Sequence, residues 1–154
     1  MNTDRVLTLS RGGLMRIRNV LSSLAFTALA ACGGDSITEP VAEREILANP
    51  SFVTDINPIF QARGCASGAC HGSGAGGLTL KASAAENYGQ LVGVQAAGEP
   101  FQLVAAGDAE NSYLVIKIEG RQTSGTRMPR GGNPLDAVDR GNIRNWIDNG
   151  APNN

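Results

Sequence analysis

The stretch Gly64-Cys65-Ala66-Ser67-Gly68-Ala69-Cys70-His71-Gly72 gathers two of the chain's three cysteines and its only histidine into seven consecutive residues. A covalent haem needs two cysteine sulfurs for thioether bonds and a histidine directly after the second cysteine to reach the iron. Cys70 and His71 have that adjacency. The usual gap between the cysteines is two residues, whereas here four intervene, all small and suited to a bulged loop lying against a flat ring. The expectation is one haem c, with Cys65 and Cys70 as thioether partners and His71 as proximal iron ligand. A disulfide between Cys65 and Cys70 and a zinc site using Cys65, Cys70 and His71 compete with it. Zinc lacks a further cysteine or histidine downstream of Cys32 to complete its shell.

The run Gly72-Ser73-Gly74-Ala75-Gly76-Gly77 is not a phosphate loop, because it lacks the Gly-Lys-Ser/Thr ending and no strand pattern precedes it. Its glycines fit a backbone that passes close to the edge of a porphyrin.

Outward from this centre, the N-terminal 31 residues read as an export signal. Arg16 and Arg18 lead into the apolar run from Val20 to Ala28, too short to span a bilayer comfortably, and the segment ends Leu29-Ala30-Ala31-Cys32. That ending resembles a bacterial lipobox, which predicts lipidation of Cys32; the alternative is ordinary cleavage near Ala31 with Cys32 left free. Translation starts at Met1 or Met15. Residues 32–50 are polar, with no sustained apolar period, and are expected to form a lipid-anchored flexible tether. Two or more acyl chains hold a protein stably at a membrane, inner or outer, where one alone binds marginally.

From Cys32 onward, nine Lys and Arg face thirteen Asp and Glu, a balance of −4 that disfavours nucleic acid as a partner. With Cys32 lipidated and Cys65 and Cys70 bonded to haem, no thiol is left over in an oxidising compartment. The 154 residues fit one domain, expected over residues 51–154. With 20 glycines and few aromatics, its apolar surface is modest, and a buried macrocycle would supply what the side chains lack.

Helical periodicity predicts four segments. Phe52, Val53, Ile56, Ile59 and Phe60 share one face, capped by Ser51 or Asn49 and broken near Pro58. Ser83-Ala84-Ala85-Glu86 has the form of a capping box and opens a helix through about Val92. Asp108 is expected to cap a helix from Ala109 to Ile118, which Gly120 ends. Asp136 to Asn149 reads as the terminal helix, with Val138, Ile143, Trp146 and Ile147 inward and Gly150 as its stop. Trp146 is expected to pack in the core rather than relay electrons.

Met128 is the only methionine after the signal and stands in the loop Arg127-Met128-Pro129-Arg130-Gly131-Gly132. A thioether is a soft ligand that favours ferrous iron, and Pro129 restricts the preceding backbone to extended conformations, so Met128 is the expected distal ligand. The competing fate is a core-filling methionine.

Ile56-Asn57-Pro58-Ile59-Phe60, the Cys65 to Gly72 site, Gly77-Leu78-Thr79-Leu80, Met128 to Gly132 and Ile143 to Ala151 together resemble a single-haem c-type cytochrome domain. The likeness is to the planctomycete-type cytochrome c domains of exported bacterial proteins and covers about Phe52 to Pro152. It implies a small all-α domain wrapped around one covalent haem, with Cys65, Cys70, His71 and Met128 in the roles above; the four-residue cysteine gap departs from the family pattern. The function it implies is electron transfer in the cell envelope, a carrier rather than an enzyme, with redox proteins as partners and a lipid anchor in the membrane. A peroxidase or haem subunit of a larger oxidoreductase, and a haem-free interaction module with a Cys65–Cys70 disulfide, are the rival readings. Peroxide chemistry needs a distal acid/base group, and no second histidine is present to serve.

Overall fold

The computed structural model describes residues 43–154, so the signal, Cys32 and the tether as far as residue 42 lie outside the described residues. Four α-helices, α1 (Asn57–Ala62), α2 (Ala84–Leu91), α3 (Tyr113–Glu119) and α4 (Ala137–Asp148), are joined by long loops. Two isolated β-bridges, Val92 with Val104 and Gln95 with Gln102, are the only strand-like pairings among the described residues, so the architecture is all-α.

The first helical segment is in two pieces, and proline explains the division. Pro58 has no N–H to donate one turn back, and Phe52–Ile56 ahead of it widens into a π-turn before α1 begins. Ser51 caps this start in both directions: its hydroxyl accepts from the Thr54 amide at 3.4 Å, and its own amide donates to Asp55 at 2.7 Å. The amides of Phe52 and Val53 donate to the side chain and main chain of Asn154, so both ends of the domain close on one another.

Phe52, Tyr88 and Trp146 form the aromatic half of the core. Phe52 and Trp146 have ring centroids 5.0 Å apart, and Tyr88 meets Phe52 edge-on at 5.3 Å. The polar tips of the two amphipathic rings are satisfied: Trp146 Nε1 donates to Pro152 O at 2.9 Å and the Tyr88 hydroxyl donates to Ala151 O at 2.9 Å. Trp146 is wholly buried, as expected for a packing residue. Asn57 on α1 and Asn87 on α2 are buried and bonded to each other at 2.7 Å, and Asn87 also pairs with both main-chain groups of Lys81.

Ser83 caps α2 by accepting from Glu86 N, and Gly120, at φ +78°, ends α3, both in line with the sequence. Helix α3 starts at Tyr113 behind Ser112, one turn later than expected from Asp108. Asp108 instead closes a local turn by accepting from the amide and side chain of Asn111, while Ala109 N donates to Asp148 on α4. A helix from Ala109 is refused further on: Tyr113 N donates to Gln102 O at 2.9 Å and Leu114 N to Leu103 O at 3.0 Å, so neither amide bonds back to Ala109 or Glu110. Along α4, Ile143, Trp146 and Ile147 are buried as expected, but Val138 is only half-buried and Leu135, just before the helix, takes the core position.

The end of the expected tether is bound to the domain. Leu47 N donates to Asn142 Oδ1 at 2.7 Å, Asn145 donates to Leu47 O, and Asn149 donates to Ala48 O, which lays residues 44–50 along α4. Ile46 rests against Gly141, where a Cβ would approach its side chain to 2.9 Å, and Pro50 is fully buried. The ordered domain therefore begins before Ser51.

Two ion-pair networks fix α4. Asp136 and the buried Asp139 bind Arg44 and Arg63, and Glu119 receives Arg144 at 2.6 Å and Arg121 at 2.9 Å, with Glu110 shared by both arginines. The amide of Asp139, together with Arg44 and Arg63, draws the Asp136 carboxyl down from 3.8 to about 2 against a burial effect that raises it. A depressed folded pKa supplies stability above the unfolded value and loses it as pH falls. Chemical denaturation of the wild type should therefore lose stability as pH falls from about 4 toward about 2, and Asp136→Asn, which keeps a cap but no charge, should flatten part of that dependence. Phe52→Ala should cost roughly 3–5 kcal/mol in the same assay at neutral pH.

Candidate functional site

The loop after α1 is closed by its own backbone. Cys65 N donates to Phe60 O at 2.8 Å as α1 ends, and the His71 amide donates to Cys65 O at 3.0 Å, so residues 65 and 71 are neighbours despite the chain between them. Residues 66–69 bulge outside that closure, as their small side chains allow. Gly72 N turns back to Ser67 O at 2.9 Å. A Cβ on Gly72 would sit 2.4 Å from the Ala66 carbonyl oxygen and 2.7 Å from that of Ser67, so the loop needs glycine there for want of space. The sequence suggested proximity to a cofactor as the reason for these glycines; at Gly72 the close neighbour is the loop itself.

His71 Nδ1 lies 2.8 Å from Ala75 O. A carbonyl oxygen only accepts, so Nδ1 donates, and in the neutral ring Nε2 then keeps the lone pair that a metal ligand requires. Two short 3₁₀ turns, His71–Ser73 and Ala75–Gly77, hold this contact in place.

Cys65, His71 and Met128 all line one cavity, with Phe60, Leu80, Leu114 and Ile143 among its apolar walls. At about 270 Å³ it approaches the lower bound of small-molecule sites and is too large to be a packing defect. Met128 reaches it from the loop after α3, anchored by its amide donating to Lys117 O at 2.9 Å; the Met128–Pro129 peptide is cis. Cys70 is exposed and is not among the lining residues. Cys65 is half-buried, and burial pushes its thiol pKa up. The two thiols are free, and Cys65, Cys70 and His71 do not converge as a three-donor cage among the described residues.

Sequence reasoning passed over three polar members of the wall. Tyr113 and Lys117 stand one turn apart on α3, on the face that also carries Leu114 and Ile118, and Glu99 comes from the loop before it. The Tyr113 hydroxyl donates to Glu99 at 3.1 Å, and Lys117 Nζ lies 5.7 Å from the centre of the Tyr113 ring. The i, i+4 spacing of Tyr113 and Lys117 was the available signal. A larger groove of about 510 Å³ runs beside the 44–47 segment, but its Arg44, Arg63 and Asp139 already bind one another.

The donor set suits a c-type haem in kind: an imidazole with a free Nε2, a thioether and a thiol on one apolar cavity, with a second thiol on the same loop. Among the described residues no helix is long and apolar enough to cross a membrane. No family model, curated protein or solved structure matches this chain.

Gly72→Ala should cost about 1–3 kcal/mol through the forced shift of the 66–67 carbonyls. Gly68→Ala, whose Cβ would meet nothing within 4 Å, should leave the thermal midpoint unchanged or slightly raised.

Proposed function

We propose that this domain is an electron carrier with one covalently attached haem c, part of an exported lipoprotein anchored through Cys32 in the bacterial cell envelope. The observation that carries the reading is the shared cavity of His71 and Met128, the only imidazole and the only thioether left once the signal is removed. Cys65 and Cys70 would hold the group by thioether bonds, and His71 and Met128 would ligate its iron. Bound there, the haem iron would accept and release one electron between its ferric and ferrous states.

The chain's own contribution is positional. The Ala75 carbonyl orients the imidazole. The Lys117 carbonyl ties down the backbone of Met128. In this reading the all-α scaffold is a cytochrome c-like wrap, and its second core half is completed by the macrocycle.

One observation favours peroxidase-like chemistry as a second reading: Glu99 and Tyr113 supply a polar pair on the cavity wall, where a distal acid/base group would be needed. Absorption spectra of the protein matured in a host that attaches c-type haem separate the two. Sharp reduced-minus-oxidised bands with a sulfur-to-iron charge-transfer band are expected, and Met128→Ala should abolish that band and lower the midpoint potential. High-spin bands in the wild type would transfer support to the peroxidase, and a colourless protein of unmodified mass would sink both.

A further inference from the structure

We infer that a separate pocket bordered by the Glu99–Tyr113 pair is a second binding site, shaped for a neutral single-ring phenol. The pocket holds about 200 Å³ and is lined by Phe101, Ile116, Arg121 and Gln122 as well as by Glu99 and Tyr113. Glu99 and Tyr113 also line the cavity of His71 and Met128, and no other residue lines both spaces. The hydrogen-bonded pair is therefore the wall they share.

Size and lining set the body of the ligand. An apolar cavity of about 150 Å³ takes up benzene, whereas drug-sized molecules occupy roughly 300 Å³ or more, so this pocket suits one substituted ring. Phe101 and Tyr113 lie nearly parallel, with 8° between their planes and 6.2 Å between their centroids, and Ile116 adds an aliphatic wall. A further aromatic ring gains contact against such neighbours in offset or edge-on geometry.

Hydrogen-bond supply sets the substituent. All three guanidinium nitrogens of Arg121 are engaged: Nε with Glu119 at 2.9 Å, Nη1 with Glu110 at 2.9 Å and Nη2 with the Glu110 carbonyl at 3.1 Å. The Asn111 side chain, also on the wall, donates to Asp108 at 2.8 Å. The acceptors are less committed. Glu99 receives Tyr113 on one oxygen, and Gln122 Oε1 is the one buried side-chain polar atom without a partner among the described residues. An orphaned acceptor is costly and the last torsion of glutamine is soft, so the amide gains by turning toward an incoming O–H. Arg121 opposes a cationic ligand, and the carboxylates of Glu99 and Glu110 oppose an anionic one. A neutral ring that carries a hydroxyl meets every one of these demands.

The test is a nuclear magnetic resonance titration of the isotopically labelled full chain in neutral detergent, with phenol as the probe and detergent alone as the blank. Phenol should shift the side-chain amide of Gln122 and the backbone amides of Tyr113 and Thr123 saturably. Gln122→Leu, followed through Tyr113 and Thr123, should weaken phenol about tenfold, as the loss of one hydrogen bond would, and leave benzene within about twofold. Leu114→Phe, which narrows the neighbouring cavity, should leave phenol binding within about twofold of wild type. Thermal midpoints report whether each variant folds; if Gln122→Leu does not, a wild-type preference of about tenfold for phenol over benzene carries the same test. Equal phenol affinity in wild type and Gln122→Leu overturns the proposal, as does loss of binding in Leu114→Phe or a shift confined to residues of the His71–Met128 cavity. Benzoate or benzylamine binding more tightly than phenol overturns the neutral-phenol assignment. A Gln122 amide that stays unshifted at saturation also overturns it, in favour of a pocket filled by water. The pocket takes phenol with or without haem, so absorbance of the same sample reports the electron-carrier reading separately.

Discussion

The hydrogen bond from the His71 amide to the Cys65 carbonyl is the constraint on which the site depends. It turns a stretch of chain into a closed loop, so a longer gap between the cysteines changes what bulges outside and not what is held together. The Cys65 amide bonded to Phe60 O fixes one foot of that loop on α1, and Leu80 N bonded to His71 O fixes the other on the segment leading to α2. With both feet fixed, the imidazole and the Cys65 thiol face the same cavity whatever the small residues between them do. Gly72 is the one position in the closure with no room for a side chain.

Around this loop the domain divides its charge. Arg63, two residues before Cys65, binds Asp136 and Asp139 at the start of α4, and Arg44 from the preceding segment binds the same two carboxylates. Glu119 at the end of α3 takes Arg144 and Arg121. Because Asp139 is buried, its two arginines offset a desolvation cost that one missing partner would expose, so this network secures geometry more than it adds stability. Of the cations without an acidic partner among the described residues, Lys117 lines the cavity and Arg140 donates to the Leu135 carbonyl.

Much of this was legible in the sequence because caps and breakers are local. Ser51, Ser83, Pro58, Gly120 and Asp136 act through neighbours within a turn, and each behaves as its residue type dictates. Asp108 shows where local reasoning fails: its cap bond to Asn111 forms, but the amides of Tyr113 and Leu114 donate to the distant Gln102 and Leu103 carbonyls and not back along a helix. The docking of residues 44–50 was hidden because their partners, Asn142, Asn145 and Asn149, lie about a hundred residues away and look like ordinary polar positions on α4. The convergence of His71 with Met128 is also long-range; composition made each a candidate by being unique, and only the folded chain brings them to one cavity. Cys70 carries the opposite lesson, since its adjacency to His71 in sequence does not turn its side chain toward the same space.

The core has two unlike halves, and their difference bears on how the domain is stabilised. Phe52, Tyr88 and Trp146 close one half with rings in contact and their polar tips bonded, which leaves nothing for a ligand to add. In the other half Leu80, Leu91, Leu114, Ile118 and Ile143 line the cavity. Apolar side chains beside a void forfeit dispersion contacts on that side, so whatever flat apolar body enters gains burial on both of its faces. Any group that binds the folded chain and not the unfolded one adds to its stability by mass action, and a covalent one cannot dissociate to forfeit that gain. The aromatic cluster joins the Phe52 segment to α2 and α4 without a ligand, and any group bound between the loops bearing His71 and Met128 would add to their order.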